Sequence, residues 1–194
     1  FISDIVWYDY FMGLHGSTPG APDGAAAKDA YQTETHSRLI NRFCSAALAP
    51  AGLFYDKASG LGYQGAVFLA GEEGSDESRA FAANMDGQLV QIPRFGLAAW
   101  ENLVPAANKG KTTVVMGLED GSATDSQLWL YQGNKSKSGA WYEKAGFNNG
   151  KLYVLSGGSI ANDNAFRTSV GKNSPVEVTF EQINWKANSI EQNK

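Results

Sequence analysis

Hydrophobic and polar positions along this chain fall into short runs, most of them bounded by glycine. GAVFLAG (65–71) is an apolar run between glycines, and GQLVQIP (87–93) alternates and stops at Pro93. TTVVMGL (112–118) is continuous and apolar, the pattern of a strand buried on both faces. SQLWLYQG (126–133) sets Leu128 and Leu130 against Trp129 and Tyr131, and KLYVLS (151–156) follows the turn signal Asn148-Asn149-Gly150. VEVTFEQINW (176–185) alternates for most of its length. Residues 1–12 read as a strand or a buried entry segment, and the Gly/Pro/Ala-rich stretch 13–34 as a loop. Between 35 and 48 a weak helix, with Leu39, Ile40, Phe43 and Leu48 on one face, competes with a strand through RLINRF. The tail 187–194 is polar. Short strands joined by glycine-bearing connections, with little helix, predict an all-β fold: a sandwich, barrel or propeller.

Composition sharpens this picture only in part. A chain of 194 residues with 43% hydrophobic content has enough apolar material for a core, in one domain or in a slice of something larger. The 22 glycines agree with many turns. The formal net charge is −4 and no Lys/Arg run could track a phosphate backbone, which argues against a nucleic-acid partner. No apolar stretch approaches the ~20 residues of a membrane-spanning helix. With one cysteine, Cys44, no internal disulfide framework exists. Scarce Cys, an acidic balance and many small polar residues suit an exported bacterial protein, periplasmic or extracellular.

Candidate chemistry lies in the acids. Glu72-Glu73 follow the strand GAVFLAG, and Glu119-Asp120 follow TTVVMGL in the same manner. Glu101 sits between them in the apolar segment GLAAWENLV. Adjacent carboxylates repel unless a cation is present, so two pairs at strand ends read either as solvated turns or as metal ligands. A carboxylate beside Ala99, Trp100 and Leu103 needs a partner if it is buried. Cys44 reads as a small buried hydrophobe or, as a thiolate, as a ligand that favours a transition metal. The carboxylates alone suit Ca²⁺ or Mg²⁺. The stretch 120–125 looks like a calcium loop without its terminal Glu, and His15 and His36 have no ligand spacing. Nucleophile-elbow, zincin and Walker patterns do not occur.

The stretches RFCSAAL, GYQGAVFLAGEE, IPRFGLAAWENL, VVMGLEDGSATDSQLWLYQGNK and KAGFNNGKLYVL run in an order that resembles PhoX-type alkaline phosphatases. More closely, they resemble exported bacterial relatives of those enzymes. The likeness covers roughly 38–156. It implies that 1–194 forms part of a single β-propeller domain, which binds Ca²⁺ and Fe³⁺ and hydrolyses phosphate monoesters. Cys44 matches an iron ligand. Glu72, Glu73, Glu101, Glu119 and Asp120 match metal-ligand positions. Trp100 stands where the family has a His, and the family's early Asn-His-Glu and later Arg-x-Glu-Asp elements are not found. The resemblance therefore implies either a piece of a longer polypeptide or a relative without the catalytic apparatus. In the second case the chain is a calcium-stabilised propeller serving as a binding or assembly module. Trp7, Tyr8, Trp129, Trp141 and Tyr142 would then be candidates for its contact face, against the ordinary reading that such aromatics pack cores.

Overall fold

The computed structural model describes residues 1–7, 32–33, 40–74, 78–107, 110–121 and 126–183. In chain order the strands are β1 (Asp4–Trp7), β2 (Gln32–Thr33), β3 (Phe43–Ala49), β4 (Tyr55–Asp56), β5 (Leu61–Gly62), β6 (Val67–Glu72) and β7 (Ala80–Asn84). They continue as β8 (Gln88–Gln91), β9 (Trp100–Pro105), β10 (Thr112–Glu119), β11 (Leu128–Asn134), β12 (Lys151–Ser156) and β13 (Thr179–Gln182). Among the described residues helix is short: a turn at Pro93–Phe95, a turn at Trp141–Lys144, and a continuous run over 163–170 whose second part is π-helical. The fold is all-β. No helix among the described residues is long and apolar enough to cross a membrane.

One sheet has the order β2-β1-β8-β7-β6-β3 and the other β13-β12-β11-β10-β9, with β4 and β5 forming a small hairpin. Within each sheet the main run follows chain order in antiparallel steps. These are β3-β6-β7-β8 in the first sheet and β9 through β13 in the second. Among the described strands only β1 joins in parallel, beside β8.

Strand alternation decides which side chains meet. Val67 and Leu69 of β6, Ala80 and Ala82 of β7, Trp100 and Leu103 of β9, Val115 of β10, and Trp129 and Tyr131 of β11 form one buried cluster, shared by both sheets. Phe81, Ala83 and Leu89 point the other way and pack with Ile5 and Ile40. The first sheet is thus covered on both faces around β7. Phe95 stacks on Tyr131 with ring centroids 4.0 Å apart. The Tyr131 hydroxyl donates to Gly146 O (2.8 Å) and accepts from Gly150 N (2.9 Å). Burial pushes this phenol far above its ordinary range.

Several sequence expectations change. TTVVMGL is not buried on both faces: burial alternates along β10, and Leu118 is exposed. Alternation is enough because the outer side chains of β10 are only partly covered. The segment 35–48 resolves, where described, into the edge strand β3 and not a helix, since its pairing with β6 satisfies its backbone. The strand of 176–185 is only Thr179–Gln182, and the stretch 13–34 includes the paired residues Gln32–Thr33. Tyr8, His15, His36 and the tail 187–194 lie outside the described residues, as does most of the stretch 120–125.

Candidate metal centre

Two register shifts build the site. Phe43 pairs with Glu72 and Ala46 with Ala70, so three steps along β3 match two along β6. The extra residue falls at Cys44-Ser45. Leu118 pairs with Asn102 and Glu119 with Trp100, so one step along β10 matches two along β9, and here the extra residue is Glu101. A bulge of this kind leaves one residue out of the ladder and re-aims its side chain. Each sheet spends one bulge on a candidate ligand, and the two bulges face each other.

The approach of the sheets is close because Trp100 lies against two glycines. A Cβ on Gly71 would collide with Trp100 Cβ, and one on Gly117 with the Trp100 ring. Trp100 is almost fully buried, and Glu101, the extra residue of β9, stands out of the ladder on the side of β3. There a Glu101 carboxylate oxygen, Cys44 Sγ and a Glu73 carboxylate oxygen lie within 4.8 Å of one another. Ser45 Oγ donates to Glu101 Oε1 at 3.3 Å. Asp120, the residue after β10, brings its carboxyl against Glu73.

Alternation splits both acidic pairs. Glu73 enters the cluster, whereas Glu72 turns away and is fully engaged. Arg79 Nε and Nη2 donate to its two oxygens at 2.7 and 2.9 Å, Arg79 N adds 3.1 Å, and Asn41 N donates at 2.8 Å. Asp120 likewise faces the cluster. Glu119 turns inward, where its Oε2 accepts from Trp129 Nε1 (3.0 Å) and Gln127 N (3.2 Å). Of the six candidates, Cys44, Glu73 and Glu101 come together, Asp120 lies beside them against Glu73, and Glu72 and Glu119 serve the frame. Cys44 is a free, exposed thiol and not a small core residue. Trp129 is core, and Trp141 and Tyr142 pack against it.

The electrostatics are those of crowded acids. The Cys44 thiol is pushed up to about 11, first by its contact with Glu73 and further by Glu101. The Asp120 carboxyl is raised, chiefly because its protonated form can donate to Glu73. Glu73 is held below the usual carboxylate range by the Cys44 thiol first, then by Arg42 and Asp120, which together outweigh its burial. These neighbours are near enough to shift the titration of Glu73, yet its buried Oε2 meets no donor at hydrogen-bond geometry. Glu73 Oε1 is taken by Arg42 Nη2 at 2.7 Å, and Arg42 Nε donates to Glu73 O at 3.2 Å. A buried carboxylate oxygen with no donor, beside a thiol and two more carboxyls, is a donor set that a cation fits.

Arg42 and Ser45 escaped the reading of the sequence. The usable signal was spacing: Arg42 stands two residues before Cys44, on the same side of an extended chain. A separate concavity is lined by apolar Leu118, Leu128, Leu155 and Phe166 and by polar Glu119, Asn162 and Asp163, and among the described residues no group of three ligand atoms gathers there. Comparison of the chain with family models, with curated proteins and with solved structures finds no match.

Proposed function

We propose that this chain contributes the metal centre of an exported, metal-dependent phosphate-monoester hydrolase related to the PhoX-type phosphatases. Cys44, Glu73, Glu101 and Asp120 are the ligands in this reading. The observation that carries it is the meeting of two strand bulges, one from each sheet, at Cys44 and Glu101 beside the buried, undonated Oε2 of Glu73. The thiolate with Glu101 suits iron, and the acids Glu73 and Asp120 suit calcium. This reading takes the meanders β3-β6-β7-β8 and β9-β10-β11-β12, which lie within a six-stranded and a five-stranded sheet, as consecutive propeller blades. A metal held here supplies Lewis acidity toward a phosphoryl oxygen. The chain's own residues fix the donors, and Ser45 orients Glu101.

A second reading keeps the cation and drops the catalysis. Its support is position: a cation held by ligands from β3 and β9 would tie the two sheets together, as a structural calcium does. Metal analysis of the purified chain, joined to p-nitrophenyl phosphate turnover, separates the two. The phosphatase reading expects iron and calcium, with turnover abolished in Cys44→Ala and cation affinity lowered at least about tenfold in Glu73→Gln. Calcium without turnover selects the structural module. Neither metal sinks both.

A further inference from the structure

We infer that Arg42 is the anion-contacting residue of this centre and receives the phosphoryl group of a ligand bound beside the cation; this rests on the metal reading above. Among the described residues two Arg–Glu pairs stand at the adjacent acids Glu72 and Glu73, and they differ in kind. Arg79 is only 16% exposed and clamps Glu72 through both carboxylate oxygens, a structural role. Arg42 is 62% exposed and holds Glu73 through one oxygen and the backbone carbonyl. An exposed ion pair of that sort stabilises a fold little. Its guanidinium has five N–H groups in a planar fork, and the two contacts to Glu73 leave the Nη1 pair uncommitted to that residue.

Charge gives the second argument. Glu73, Glu101, Asp120 and the Cys44 thiolate together carry more negative charge than one divalent cation offsets, and an incoming phosphate would meet a net negative mouth. The Arg42 guanidinium, bonded to Glu73 through Oε1 and the backbone carbonyl, offsets part of that excess. Arg42 stands two residues before Cys44 and is exposed, so the part of its guanidinium not bonded to Glu73 is open to a ligand. A planar fork suits two phosphoryl oxygens in a way that a point charge does not.

Inorganic phosphate is the probe, titrated into the Ca²⁺-loaded wild-type chain, Arg42→Gln and Arg42→Lys, with cation uptake measured on each protein first. The expected result is phosphate affinity about tenfold or more weaker in Arg42→Gln, with a partial loss in Arg42→Lys. Unchanged phosphate affinity in a cation-loaded Arg42→Gln protein overturns the assignment and leaves the metal reading intact. Loss of cation uptake in Arg42→Gln, restored by Arg42→Lys, also overturns it, because Arg42 would then only hold Glu73 in place. Should Arg42→Gln not fold, Arg42→Lys decides alone: weaker phosphate binding supports the role, and wild-type binding refutes it. No cation uptake by the wild-type chain refutes this inference together with the metal reading.

Discussion

Neighbouring acids in this protein have opposite jobs, because a strand turns successive side chains to opposite faces. Glu72 shows the structural half. Burial works to raise its carboxyl, but the Arg79 hydrogen bonds, the Asn41 N–H and the Arg79 charge outweigh it and hold the group below the usual range. A folded value below the unfolded one of about 4.3 means that this stabilisation is complete above that pH. It is lost as the pH falls through the lower folded value. Glu72→Gln should therefore cost about 1.5–3 kcal/mol at neutral pH and flatten the acid limb of stability against pH. Chemical denaturation of both proteins between neutral and acid pH checks this. A variant with an unchanged acid limb would remove Glu72 from the account. Glu72 and Glu73 could be found in the sequence as candidates, but their division of labour could not. It depends on where Arg79 and Arg42 arrive, and both arrive from outside the pair.

At the scale of elements, the bulges do what regular strands cannot. With unbroken register, Cys44 and Glu101 would each follow the simple alternation of its strand. The extra residue in β3 and in β9 re-aims them toward a common point. The closeness of β6, β9 and β10 depends on Gly71 and Gly117, which flank Trp100. Gly71→Ala should cost about 1–3 kcal/mol through overpacking, since its new methyl meets the Trp100 side chain in a filled core. Its cation affinity should also fall, because Glu101 moves with Trp100. Thermal melts and calcium titration read the two effects separately, and wild-type behaviour in both would refute the Gly71–Trp100 contact. The apolar runs identified β6, β8, β10, β11 and β12 in the sequence. β7 and β9 were missed: RAFAAN is rich in alanine, and WENLVP carries an acid and a proline. Tertiary burial makes strands of both, where local propensity gives little sign.

For the whole molecule, the decisive feature is a core that belongs to both sheets. Val67, Leu69, Trp100, Val115, Trp129 and Tyr131 form one buried cluster, so neither sheet keeps its apolar face covered without the other. The chain should therefore unfold in one cooperative step, with far-UV and near-UV signals coinciding in a denaturant titration. Two separated transitions would show that the sheets are independent units. The amino-acid sequence by itself determined the all-β class, the main strands and the acids worth examining, because alternation and glycine placement are local properties. Tertiary structure alone decided which acids gather beside Cys44, that Cys44 is exposed, and that Arg42 binds Glu73 there. Those outcomes depend on register between strands far apart in the chain, and a single extra residue in a strand is enough to redirect a side chain.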